Sequence, residues 1–212
     1  MRIAILGGTG KEGRGLALRW ARAGVSVLIG SRDRARAEQA AAELNSRLGG
    51  SGVRGLANRE AAEEAETVVS TLPHAGHLEI ISAIAPELSD KLVLVATVVW
   101  PPAPLDRRSA AEEVQELVAG QARVVAAFQT VSAAELAALD RPVEDDVLVC
   151  GDDVAARRRA VEIIGLGGMR GVDAGPLKQA RTIEALTGLL LQINKNYKIK
   201  SAGIRITGLP AS

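Results

Sequence analysis

Short runs rich in Val, Ile and Leu alternate along the chain with Ala/Glu/Arg-rich stretches of helical period. That alternation is the pattern of βαβ units around a mostly parallel sheet, whose strands are covered on both faces and so read as near-continuous apolar runs. It predicts strands at Arg2–Leu6, Ser26–Ile29, Gly52–Ala57, Thr67–Thr71, Leu92–Val98, Arg123–Ala127, Val147–Cys150 and Met169–Val172. Helices are expected at Gly13–Ala23, Arg32–Leu48, Asn58–Glu64, Gly76–Leu88, Ser109–Leu117, Asp152–Ile164 and Leu177–Asn194. Ser109 with Glu112 has capping-box spacing, and Asp152 and Asp153 bring acids to a helix start, where the backbone dipole favours them. The expected fold is α/β: a Rossmann-type parallel sheet of about eight strands, helices on both faces, and a small C-terminal extension. Residues 1–135 form the core in this reading, and residues 136–212 an α/β extension with a dimerisation helix at Leu177–Asn194.

The segment Gly7-Gly8-Thr9-Gly10-Lys11-Glu12-Gly13 follows the first strand directly and opens a helix. Gly8, Gly10 and Gly13 fit G-x-G-x-x-G, whose glycines permit a tight turn, a close pyrophosphate and close helix–strand packing. Gly7, Gly10 and Gly13 also match the spacing of short-chain dehydrogenases. The Tyr-x-x-x-Lys pair of those enzymes is missing, because Tyr197 is the sole tyrosine and Ser201 stands four residues on.

The end of the second strand selects the dinucleotide, since an acid there holds the ribose hydroxyl of NAD and repels the 2′-phosphate of NADP. This chain has Gly30-Ser31-Arg32-Asp33-Arg34-Ala35-Arg36 instead, with Arg36 one helical turn beyond Arg32. Between Met1 and Arg36 eight basic residues face two acids, although the whole chain carries a formal net charge of only +1. The expected ligand is therefore NADP. Thr71-Leu72-Pro73-His74, at the carboxyl end of the fourth strand, completes the expected cofactor-binding set.

The remaining composition excludes more than it assigns. A near-neutral chain with aromatic residues at 2% offers neither the charge nor the stacking surface of a nucleic-acid binder. The longest near-continuous apolar run, Leu92–Trp100, has nine residues, against about 20 needed to span a bilayer, so no membrane partner is expected. One cysteine, Cys150, fits a reducing cytoplasm and reads as a small buried hydrophobe. His74 and His77 lie where open sheets place ligands, but no cysteine or third histidine joins them, and the sequence does not reveal a carboxylate partner, so no metal is expected. No serine nucleophile elbow, paired catalytic carboxylates or Walker lysine is found, so no catalytic acid or base is assigned; if the bound cofactor exchanges hydride with a partner that needs no proton relay, positioning and water exclusion suffice.

Together Ile3-Ala4-Ile5-Leu6-Gly7-Gly8-Thr9-Gly10, Gly15-Leu16-Ala17-Leu18-Arg19, Gly30-Ser31-Arg32, Ser109-Ala110-Ala111-Glu112, Val149-Cys150-Gly151-Asp152-Asp153 and Asp173-Ala174-Gly175-Pro176-Leu177 resemble the coenzyme F420-dependent NADP oxidoreductases. The resemblance implies an enzyme moving hydride between NADP(H) and the deazaflavin coenzyme F420. It implies that Thr9, Ser31, Arg32 and Arg36 hold NADP, that Pro73 borders the nicotinamide, and that a cleft between core and extension takes the deazaflavin. Two departures fall on the deazaflavin side: Gln129 stands where the family has histidine, and the loop Val98–Arg108 is short and proline-rich. An NADP-dependent reductase of a flavin or small carbonyl compound, or a non-enzymatic NADP sensor, remain alternatives at this point. Small-molecule coenzymes and a second copy of the chain are the expected partners.

Overall fold

A computed structural model describes residues 1–101 and 105–209. Along the chain, β1 (Arg2–Leu6), α1 (Lys11–Arg22), β2 (Ser26–Ser31), α2 (Arg34–Leu48), β3 (Val53–Ala57) and α3 (Asn58–Glu64) come first. They are followed by β4 (Thr67–Ser70), α4 (His77–Ala83), β5 (Leu92–Val95), α5 (Ala110–Val118), β6 (Arg123–Ala126) and α6 (Ala133–Ala137). The chain ends with β7 (Asp146–Gly151), α7 (Val154–Leu166), β8 (Arg170–Asp173) and α8 (Ala180–Tyr197).

The eight strands form one sheet in the order β3-β2-β1-β4-β5-β6-β7-β8. Period-two alternation divides the core between its faces: Ile3 and Ile5 join one apolar cluster, Ala4 and Leu6 the other. Between β1 and β4 the strand order reverses, which opens a crevice at the carboxyl ends of both, where such sheets take ligands.

The direction of β7 departs from an all-parallel sheet. It runs antiparallel to β6 and pairs with it only through Ala126 opposite Cys150 and Val125 opposite Gly151, so the earlier residues of β7 extend past the carboxyl end of β6. β8 then pairs parallel to β7. β7 and β8 thus continue the sheet beyond β6, while Ile163 and Ile164 of α7 join the same core cluster as Ile3 and Ile5. The division near Glu135 falls inside α6, a five-residue helix that sequence periodicity missed because it is shorter than two turns. Arg19 of α1 secures it, donating to the carbonyls of Glu135, Leu136 and Ala138 at 2.7, 3.0 and 2.8 Å. A Cβ on Gly15 would lie 2.6 Å from Leu136 Cβ, so the Gly15–Arg19 motif serves this helix contact.

Other boundaries shift for local reasons. The helix expected over 76–88 breaks after Ala83 into a 3-10 turn at Ala85–Leu88, since Pro86 has no N–H to continue it. The strand expected to Val98 ends at Val95, and the proline-rich loop after it lies partly, at 102–104, outside the described residues. α8 begins three residues after Leu177, behind a 3-10 turn. The capping box is present: Ser109 Oγ accepts from Glu112 N at 3.2 Å, and Glu112 Oε2 accepts from Ser109 N at 2.9 Å. Arg181 of α8 grips the same carboxylate through two bonds of 2.7 and 2.8 Å, and Glu184 one turn later accepts from Val99 N and Ala110 N. These contacts dock α8 across the top of β5 and α5. Among the described residues no helix is long and apolar enough to cross a membrane.

Candidate functional site

The crevice at the β1/β4 reversal is a groove of about 780 Å³. Thr9, Gly10, Ser31, Arg32, Arg36, Thr71, Leu72 and Pro73 all line it, so residues far apart in the chain converge on one groove. Gly8 and Gly13 lie beneath it for packing: a Cβ on Gly8 would be 2.8 Å from Ile5 O, and one on Gly13 would be 2.6 Å from Gly8 Cα. Gly10 is exposed and N-caps α1 with no side-chain hydrogen bond, leaving the helix's first N–H groups open to an anion.

At the rim, Asp33 caps α2 by accepting from Arg36 N at 3.3 Å, and Ser31 Oγ accepts from Asp33 N at 3.2 Å. This turn points the arginines outward. Arg34 is consumed by Glu38 and Glu60, at 2.9 Å each. Arg32 and Arg36, by contrast, form no ion pair among the described residues, so two free cations flank the groove. Across the groove, Thr71 Oγ1 donates to Leu6 O at 3.0 Å and Thr97 Oγ1 donates to Leu72 O at 2.9 Å, pinning the turn that presents Pro73.

Three expected residues lie elsewhere. The Lys11 side chain opens onto a separate cleft between α1, α2 and α6. Glu12 faces a second cavity, and His74 turns behind the groove toward α5. Sequence reasoning missed Asn58 and Arg59, which line the groove at the carboxyl end of β3. Asn58 Oδ1 is buried without a partner, and a Cβ on Gly30 would lie 2.8 Å from it. Their position just after a strand end was the available signal.

The second cavity, about 260 Å³, lies between the carboxyl ends of β5 and β6, α8 and the C-terminal segment. Gly10 lines the groove and Glu12 the cavity, so the first turn of α1 is their shared wall. Gln129 enters this cavity from a strained loop, for Phe128 holds φ +79° while its ring packs edge-on against Trp20 at 5.9 Å. Gln129 Nε2 donates to Val95 O at 2.8 Å, and Thr187 Oγ1 donates to Gln129 O at 2.8 Å. Gln129 Oε1 remains buried without a partner. Lys200 also lines it, its carbonyl accepting from Ser132 Oγ at 2.9 Å.

Burial pushes the Glu12 carboxyl up to about 8, which favours its neutral form near pH 7. Folding then binds its proton more tightly than the unfolded chain does, and stability falls as pH rises from about 4.5 through 8. Glu12→Gln removes that penalty. Thermal melts should converge with wild type as pH falls toward 4.5 and lie increasingly above it as pH rises to 9. Parallel curves across the range would show that Glu12 ionises normally. Cys150 is inert by the same physics, its buried thiol pushed up to about 12.

Behind the groove, His74 Nε2 and His77 Nε2 lie 3.3 and 3.0 Å from one oxygen, Glu113 Oε2. The sequence offered no carboxylate for these histidines; α5 supplies it from 36 residues away.

Residues 2–99 match the family model described as NADP oxidoreductase, coenzyme F420-dependent. The chain is 40% identical to the F420-dependent NADP reductase of Methanocaldococcus jannaschii, with 99% of both chains covered. It is 38% identical to that of Methanothermobacter thermautotrophicus, over 99% of this chain and 96% of the relative. A crystal structure from Arthrobacter sp. FB24, assigned as an F420-dependent NADP reductase, superposes with a TM-score of 0.81 at 27% identity, covering 98% of this chain and 99% of that one. With its groove, its free arginines and near-complete alignment to these reductases, the chain belongs to the F420-dependent NADP reductase family.

Proposed function

We propose that the protein is an NADPH-dependent F420 reductase, moving a hydride between NADP(H) and the deazaflavin coenzyme F420. The observation that carries this reading is the pair of unpaired arginines, Arg32 and Arg36, at the rim of a groove floored by the uncapped N-terminus of α1. NADPH supplies a hydride and the oxidised deazaflavin accepts it, in a reaction that runs in either direction.

Arg32 and Arg36 would hold the 2′-phosphate through charge-assisted bonds, with Ser31 adding a hydroxyl. Backbone N–H groups of Lys11, Glu12 and Gly13, with Gly8, Thr9 and Gly10 shaping the turn, would hold the pyrophosphate. The orphaned Asn58 Oδ1 is suited to a donor on the adenosine end. Thr71, Leu72 and Pro73 would border the nicotinamide, and His74 would brace their loop from behind. The second cavity would take the deazaflavin ring. There Glu12 presents an O–H rather than a negative charge, so an anionic ring meets no repulsion, and Lys200 favours its acidic tail.

In this reading residues 1–135 bind NADP and residues 136–212 complete the deazaflavin cleft. Leu189, Leu191, Tyr197 and Ile199, 46–74% exposed on and after α8, support a homodimer through that helix. A cytoplasmic setting fits the single reduced thiol of Cys150.

Anaerobic mixing of the protein with NADPH and oxidised F420 should bleach the deazaflavin's visible absorbance. NADH in place of NADPH, or FMN in place of F420, should react far more slowly. NADPH binding without bleaching would overturn the acceptor and keep the nucleotide site. Equal rates with NADH would overturn the assignment of Arg32 and Arg36.

A further inference from the structure

His74, His77 and Glu113 offer three ligand atoms that all lie within 4.8 Å of one another. A four-coordinate zinc ion, with bonds of about 2.0–2.2 Å to nitrogen and oxygen, needs ligands about 3.3 Å apart. The two imidazole Nε2 atoms stand 3.3 and 3.0 Å from Glu113 Oε2, already near that spacing. The rings are 5.0 Å apart and tilted by 36°, so both edges converge on one point.

The scaffold is rigid where it matters. His77 begins α4 and Glu113 lies in the first turn of α5. Gly76 at φ +83° makes the bend that brings His74 back, with His77 N donating to His74 O at 3.2 Å. His77 is only 2% exposed, while His74 and Glu113 are 28% and 27% exposed in their side chains, which leaves an entry path and a position for water.

As a hydrogen-bond cluster the arrangement is under-satisfied. Two imidazoles share one carboxylate oxygen, and His77 Nδ1 is buried with no partner. A single cation would replace those shared contacts with three direct bonds.

We infer that His74, His77 and Glu113 form a zinc-class divalent metal site, with water as fourth ligand, that clamps the β4–α4 loop to α5. The loop residues Ala75 and Gly76, between the two histidines, line the nucleotide groove, so the clamp sits directly behind the NADP site and is independent of the acceptor assigned above.

The test uses the full chain stripped with a chelator, then titrated with Zn²⁺ against a chromophoric competitor and separately with Co²⁺. One equivalent of zinc should bind in the micromolar range or tighter. Cobalt should give the intense visible bands of four-coordination, and zinc should raise the melting temperature. Glu113→Gln, which can still accept from both imidazoles, should weaken zinc binding at least about tenfold and abolish the cobalt bands. His74→Asn gives the same readout should the first variant fail to fold. Equal zinc binding by wild type and a folded variant, or only the pale spectrum of octahedral cobalt, would overturn the site.

Discussion

Replacing Arg32 with alanine is expected to weaken NADPH by about 10- to 100-fold, the equivalent of the ~1.5–3 kcal/mol that a hydrogen bond to a charged group contributes. NADH, which lacks the 2′-phosphate, should lose no more than about threefold. The asymmetry follows from Arg32 standing free at the groove rim, while its neighbour Arg34 is held by Glu38 and Glu60. Nucleotide dissociation constants from protein–nucleotide titrations, compared between the two dinucleotides, check it. Equal losses for both would mean that Arg32 only shapes the turn. Arg36→Ala should act in the same direction, since Arg36 also lines the groove and its backbone cap to Asp33 survives the substitution.

Arg170→Ala should cause the largest loss of stability, about 3–5 kcal/mol, because it strands a buried carboxylate. Asp146 is fully buried at the start of β7 and takes two bonds of 2.6 Å from Arg170 on β8. Asp146 Oδ2 also accepts from Ile206 N at 2.6 Å, and Arg170 donates to Ile206 O at 2.8 Å. The pair thus fastens the C-terminal segment that brings Lys200 and Ala202 to the second cavity. Melting should drop by roughly 6–20 °C. At temperatures where the variant stays folded, the KM for the deazaflavin should rise while NADPH affinity changes little, since no groove residue depends on that segment. A loss of both affinities together would show that the two cavities are not separable.

The same pair has an acid-side signature. Arg170 holds the Asp146 carboxyl below its ordinary value of 3.8, so its contribution is complete above that value and is lost as pH falls through the lower folded-state value. The melting gap between wild type and Arg170→Ala should therefore narrow below about pH 4.

Much of the groove's lining could be read along the chain. Gly8, Gly10 and Gly13 act within one strand–turn–helix unit, and Ser31, Arg32 and Arg36 within the next, so their geometry follows from backbone rules acting over a few residues. The apolar runs likewise located the six inner strands, because a strand covered on both faces leaves little choice of residue type, while the edge strands β3 and β8 are partly exposed and were marked by their place in the βα alternation. Family motifs carried meaning that spacing could not: Gly15 and Arg19 matter for seating α6, a contact made 116–119 residues away.

What escaped the sequence was set by distance along the chain. β7 pairs antiparallel with β6 through only two residue pairs, after a connection through α6 that is seated on α1, and no local pattern encodes that direction. Glu12 looked like part of the phosphate turn, but it faces a cavity closed by Gln129, Thr187 and Lys200, which lie more than a hundred residues away. His74 and His77 were visible as a pair and their carboxylate was not, because the spacing of a helix turn is local while the approach of α5 to α4 is decided by packing on the sheet. Local steric and hydrogen-bond rules act through neighbours in sequence; cavities, buried charge and ligand clusters arise where the packed layers bring strangers together.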